Sequence, residues 1–362
     1  MVRSEEELAR AIRTIGERAE PVDLLAGVAD RRRRRRGRRA RGVLAAVCAV
    51  VLGWVAVVLW PSPTAPVIST PEPVIGTPEP VIRTPEPVTA VERRWPQAVF
   101  TMPERYRPLA AIDATRVLVL AAPATIEVYD SATGRASLVA TLSEPPGRVA
   151  ADGEWVAWVG EREVGFVPLR GGAKPVRQGP VEGEFVDRIQ VVGDQVVWSA
   201  PVGGVWRLDL PAGMIEQIAG SDGLQLVSWP WAIDEPLDLR GNPTRLVNLA
   251  TGRTVPIKAA RGVEGLRCGP TWCSGVRDGD AVLQRTDGSR LRVRRGLSEQ
   301  VGSAPFRDRF FVGLGVYDAQ ADELVPIEPP DGEWSEAPGV ISWKARDGGV
   351  RVLNLAAVPP AR

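Results

Sequence analysis

Downstream of residue 95 the hydrophobic positions come in short runs, among them VLVLAA, EWVAWVG, QVVWSA, RLVNL, RFFVGL and VISWKA, each bounded by Gly, Pro or Asp. Runs of this length, rich in β-branched and aromatic residues, predict strands. No stretch there sustains the 3.6-residue period of an amphipathic helix, so the region is expected to be all-β. Two other patterns precede it. Residues 43–60 read VLAAVCAVVLGWVAVVLW without a charge, and residues 70–88 repeat TPEPVI with a seven-residue step, at Thr70, Thr77 and Thr84.

The strand-rich region is itself repetitive. VYDSATGRASLVA, RLDLPAGMIEQIA, LVNLATGRTVPIK and VYDAQADELVPIE share a strand, a turn and a second strand, with the turn at Gly134, Gly213, Gly252 and Asp322. Looser copies place turns near Gly172 and Gly288, so the unit recurs about every 33 to 41 residues. Four short strands fit that period, which is the period of a propeller blade. Six units fill residues 105 to 330, and the C-terminal stretch GVISWKARDGGVRVLNLAAV then supplies inner strands without an outer one. Pairing Gln97–Met102 beside Val350–Leu355 would complete it. The expectation is a seven-bladed β-propeller closed by strands from both ends of the domain, with six or eight blades as alternative counts because the sixth unit is short. Trp158, Trp198, Trp231 and Trp343 fall in the second strand of their units and are expected to wedge between sheets. Trp95, Trp206 and Trp334 lie outside that frame and are the candidates for stacking on a glycan.

Eighteen apolar residues just suffice to cross about 30 Å of hydrocarbon. The run RRRRRRGRRARG at 31–42 directly precedes them, and basic clusters stay cytoplasmic, so residues 1–42 are expected inside and everything after residue 60 outside. A cleaved signal peptide is the competing reading. With the segment as an uncleaved anchor, Arg31 to Arg41 would meet anionic inner-leaflet lipid, which accounts for the basic run without invoking nucleic acid. Prolines exclude helix from the repeat at 70–88, so residues 61–94 are expected to be a semi-rigid polyproline spacer. Upstream, Ser4 and Glu7 have capping-box spacing ahead of Leu8, Ile12 and Ile15, so residues 4–30 hold a short amphipathic helix and are a candidate docking segment for a cytosolic partner. The organisation expected is a tail at 1–42, a transmembrane helix at 43–60, a linker at 61–94 and a propeller at 95–362.

Charge sharpens this division. The whole chain is near neutral at +1, yet residues 1–42 carry 13 Arg against 7 acids and the remainder 32 basic residues against 37 acids. There is no histidine, which removes Ser-His-Asp and Cys-His catalysis and His-ligated metals. No phosphate-binding or dinucleotide fingerprint occurs. The sequence therefore reads as a non-enzyme with no catalytic residue, cofactor or metal ligand to nominate, and a hydrolase using paired carboxylates in the propeller channel is the enzymatic alternative. Cys268 and Cys273, in RCGPTWCSG, are the only cysteines beyond the apolar run and are expected to form a disulfide across the Gly269–Pro270 turn. Acids recur in the segments that join one unit to the next, at Glu104, Glu144, Glu182, Glu184, Asp222, Glu264, Glu299, Asp331 and Glu333. Gathered on one face, they would draw cations or basic peptides.

The repeat architecture resembles that of membrane-anchored WD40-like and TolB-like propeller proteins, although no WD dipeptide is present. The 60 N-terminal residues resemble the cytoplasmic tails of membrane proteins associated with sigma factors in high-GC Gram-positive bacteria, but lack the His and paired Cys of the zinc-binding signature found there. The resemblance implies an extracytoplasmic scaffold that binds a protein, peptide or envelope ligand from the cell membrane, or alternatively a transmembrane regulator of a sigma factor.

Overall fold

The computed structural model describes residues 88–361 except for 161–162, 180–185, 201–203, 235, 237, 239, 295–304, 314, 330–331 and 347. The expected tail, transmembrane helix, lipid-binding arginines and most of the proline repeat lie outside the described residues. The compact unit spans Arg83–Arg362. Among the described residues no helix is long and apolar enough to cross a membrane.

The described chain begins with a five-residue helix, α1 (Ala90–Arg94), followed by strand β1 (Val99–Met102). The next strands form sheets in sequence order. The first sheet holds β2 (Arg107–Ala111), β3 (Arg116–Ala122), β4 (Thr125–Asp130) and β5 (Arg135–Thr141). The second holds β6 (Val149–Ala151), β7 (Trp155–Val159), β8 (Val164–Pro168) and β9 (Val176–Gln178). The third holds β10 (Arg188–Val192), β11 (Gln195–Ala200), β12 (Gly204–Asp209) and β13 (Met214–Gln217), and the fourth β14 (Gln225–Ser228), β15 (Trp231–Ile233), β16 (Arg245–Asn248) and β17 (Thr254–Pro256). The fifth holds β18 (Glu264–Cys268), β19 (Trp272–Arg277), β20 (Asp280–Arg285) and β21 (Arg292–Arg294). The sixth has three strands among the described residues, β22 (Phe310–Val312), β23 (Gly315–Asp318) and β24 (Glu323–Pro326). The seventh is made of β25 (Ser335–Ala337), β26 (Val340–Lys344), β27 (Val350–Asn354) and, from the other end of the domain, β1.

All neighbours are antiparallel, and seven hydrophobic clusters lie one between each successive pair of sheets. One example joins Leu118 and Ile126 of the first sheet to Val156 and Trp158 of the second. The last joins Met102, Val340 and Val352 of the seventh back to Val117 and Val119 of the first. The chain is therefore a closed seven-bladed β-propeller, with the count and the closing partners expected from the repeat. Closure sets Val99 opposite Leu353 and Met102 opposite Val350.

Local signals explain the hairpins. The turn positions Gly134, Gly213, Gly252 and Asp322 all have φ between 57° and 72°, the left-handed region that glycine enters without cost and aspartate tolerates. The residue four positions earlier in each turn caps it, since the carboxylates of Asp130, Asp209 and Asp318 and the amide oxygen of Asn248 accept backbone N–H bonds from the turn. Trp158, Trp198 and Trp343 are buried between sheets as expected, while Trp231 is partly buried against the fifth sheet. Trp158 needs a partner without a side chain: it stands opposite Gly165, where a Cβ would lie 2.3 Å from the indole.

Two features depart from the sequence reading. Thr89 and Glu92 form a reciprocal capping box at the end of the proline segment, with the Thr89 N–H donating to Glu92 over 2.7 Å. Through it α1 packs on the propeller: Val91 is buried, and Trp95 meets Phe310 edge-on at 6.2 Å. Trp95 is thus core at 3% exposure, which ends its candidacy as a glycan platform. Trp206 and Trp334 are partly buried against hydrophobic clusters. The helix at Ala90–Arg94 thus falls inside the segment expected to be linker.

Candidate ligand face

The register of the seventh sheet defines two faces. At one end of β27 the chain turns from β26, and the segment 103–106 leaves β1 for the next sheet. Glu104 in that segment pairs with Lys344 at the end of β26, 2.9 Å away. At the other end lie the turn between β25 and β26 and the entry to β1. There Leu355 donates its N–H to Gly339 over 2.9 Å, and the Asn354 side chain donates to the carbonyl of Asp113 in a turn of the first sheet. Because each four-stranded sheet is wound alike, the described segments that join such sheets lie on the first face, and their turns between first and second and between third and fourth strands lie on the other.

The acids singled out from the sequence are distributed accordingly. Glu104 and Glu144 are exposed in the segments 103–106 and 142–148, Asp222 in 218–224 and Glu333 in 327–334, while Glu264 is the exposed first residue of β18, an innermost strand. Asp222 accepts a bond from Gln217 Nε2 at 2.8 Å. Glu182, Glu184, Glu299 and Asp331 lie outside the described residues. The acids sit on separate loops: among the described residues no three His, Cys, Asp or Glu side chains converge where they could hold a metal.

A loop not foreseen rises beside Glu264. Between β15 and β16 the Asp234 carboxylate accepts the N–H groups of Thr244 and Arg245 at 2.8 and 2.9 Å, pinching the loop at its base. Its far end crosses to the fifth sheet. The Asn242 amide donates to Val263 O and accepts from Leu266 N–H, at 2.8 and 2.9 Å, while Gly265 N–H donates to Arg240 O. Asp-x-x-Leu-x-Leu-Arg-Gly-Asn reads only as a polar insertion, because its partners lie in another blade.

Glu336 was also missed. It belongs to β25, the innermost strand of the seventh sheet, and has no hydrogen-bond or ionic partner among the described residues. Its residue is exposed by surface area, yet protein packed around the carboxyl partly desolvates it and raises it above the usual glutamate range.

The disulfide is as expected: Cys268 and Cys273 stand directly opposite across β18 and β19 and are bonded, with Gly269 N–H donating to Trp272 O in the turn. Both are buried between the fourth and fifth sheets, which suits a structural staple better than thiol exchange.

Polar groups also clasp the sheets. Arg309 and Asp318, both buried, form a bidentate pair inside the sixth sheet. Between the fifth and sixth sheets, Arg292 and Arg294 converge on the Tyr317 hydroxyl and Asp322, and Arg285 and Arg292 flank the Trp272 ring at 4.2 and 5.2 Å. Burial would raise the Asp322 carboxyl, but Tyr317 and the two arginines outweigh it and hold it below the usual range.

No family model matches the chain, and no curated protein matches it. Among solved structures it is similar to the computationally designed protein Ika8, at 14% identity and a TM-score of 0.42 over 71% of this chain and 89% of that one. A protein assigned as TolB from Agrobacterium tumefaciens is similar at 12% identity and a TM-score of 0.35, over 54% and 86% of the two chains. These likenesses concern fold alone.

Proposed function

We propose that this chain is a membrane-tethered, extracytoplasmic recognition scaffold whose inter-sheet loop face holds a basic segment of a protein or peptide partner. The observation that supports the reading is the set of exposed carboxylates on one face of the propeller. The described chain arrives through α1 and β1 at the rim, on the hairpin-turn face, because Val99 lies at the same end of its sheet as Asn354 and the turn at Gly339. The opposite face, that of the described inter-sheet segments, carries the exposed Glu104, Glu144, Asp222, Glu264 and Glu333. Separated exposed carboxylates suit an extended cationic ligand rather than a single ion. Glu104 already has Lys344 as partner, but an ion pair this exposed contributes little and yields to a competing cation.

A channel hydrolase finds one supporting observation, the unpartnered Glu336 with its raised carboxyl. Hydrolysis by paired carboxylates needs a second acid within about 5 to 9 Å to act with it.

Calorimetric titration of the full-length protein with a lysine- and arginine-rich peptide tests the proposal. Saturable binding that weakens about tenfold or more in Glu104→Gln, Glu144→Gln, Asp222→Asn and Glu264→Gln combined supports it, in line with the loss of several charge-assisted contacts. Binding that ignores all four substitutions contradicts it.

A further inference from the structure

The hairpin-turn face carries a separate feature of opposite character. Where the outer part of the first sheet meets the second, the ends of β4, β5, β3 and β8 enclose an open cavity of about 450 Å³ lined by Arg116, Arg135, Arg170, Thr133, Ser137 and Asp130. Three arginines and one aspartate are among the residues that line it. Arg116 is engaged by Asp113 at 2.7 Å, but Arg135 and Arg170 are exposed and make no ion pair among the described residues. An arginine without a carboxylate is a fork of donors matched to an oxyanion. The hydroxyls of Thr133 and Ser137 both donate and accept, and Asp130, whose Oδ1 takes the N–H of Ala132, has a second oxygen for a ligand hydroxyl. Leu169 contributes an apolar floor. The volume falls within the range of small-molecule sites.

We infer that this cavity binds a small polyhydroxylated molecule bearing an oxyanion, of the class of sugar phosphates. Arg135 and Arg170 clasp the anionic group, while Thr133, Ser137 and Asp130 bond the hydroxyls. The site is independent of the acidic loop face, since every turn that forms it lies at the other end of its strands.

The test is ligand-observed NMR or calorimetry on the full-length protein at constant ionic strength, with glucose 6-phosphate and glucose as probes. Saturable binding of glucose 6-phosphate is expected, at least about tenfold tighter than glucose, and about tenfold weaker in Arg135→Gln and in Arg170→Gln, as expected when a charge-assisted contact is lost. Both side chains are exposed, so the thermal midpoint should not move, and the four loop-face substitutions should leave this binding unchanged. No saturable binding of glucose 6-phosphate, equal binding of glucose, or binding that survives the double substitution would each overturn the assignment.

Discussion

Met102 stands opposite Val350, joining the first and last strands of the domain, and with 1% of its surface exposed it closes the hydrophobic seam between the seventh and first sheets. A chain starting at Pro103 loses this side chain and the buried Val91 and Trp95 together. Each contributes about 1.5 to 3 kcal/mol of burial, a large part of the 5 to 15 kcal/mol that holds a domain folded. Denaturant melts should show a midpoint collapse or loss of a single transition, and size-exclusion chromatography should show association through the uncovered edge of β27. A truncated chain that is monomeric and equally stable would contradict closure by β1.

Closure of this kind was legible because the repeat itself exposes the deficit: residues 340–354 supply inner strands with no outer one, and residues 97–102 an outer strand with no sheet. The turn glycines and the wedged tryptophans were legible for the same reason, being locked to the period. Other features were not. Asp318 reads like Asp130 and Asp209, the same residue of the same turn, and only its burial against Arg309 sets it apart. Thr89 and Glu92 are a capping box only once the prolines stop, and Asn242 bonds a neighbouring blade that sequence spacing does not locate.

Gly165 offers a sharp test of sheet packing. Alanine there would set a methyl 2.3 Å from the Trp158 ring, so Gly165→Ala should cost about 1 to 3 kcal/mol by overpacking. In a double-mutant cycle, Trp158→Leu should absorb much of that cost, and urea melts of the four proteins would show the coupling. Additive effects would mean the two residues do not meet.

Removing one partner of the buried Arg309–Asp318 pair leaves the other charge uncompensated. Asp318→Ala should therefore destabilise by about 3 to 5 kcal/mol, whereas Arg309→Met with Asp318→Leu should cost markedly less. Chemical denaturation distinguishes the two outcomes, and equal losses in single and double variants would remove the ion pair from the account.

Glu336 makes a pH prediction of definite sign. Partial desolvation by the surrounding protein raises the carboxyl of this exposed residue, so the folded state binds the proton more tightly than the unfolded chain. The resulting stabilisation is full below the ordinary glutamate range and is lost as pH rises through the raised value. Asp322 acts oppositely: its depressed carboxyl contributes stability above the ordinary aspartate range that is lost as pH falls through the lowered value. Thermal midpoints of the wild type and Glu336→Gln should thus converge in acid and separate towards neutral pH, with the variant higher. Parallel curves would exclude Glu336 as the responsible group.

Where a partner sits decides whether the loop face is the recognition surface. Hydrogen–deuterium exchange on the full-length protein, with and without a saturating lysine- and arginine-rich peptide, reads this position along the whole chain. Slowed exchange in segments 103–106, 142–148, 218–224 and 257–263, with the hairpin turns at 112–115, 131–134 and 169–175 unchanged, is the result the account expects. Protection confined to those hairpin turns, or none anywhere, would contradict it.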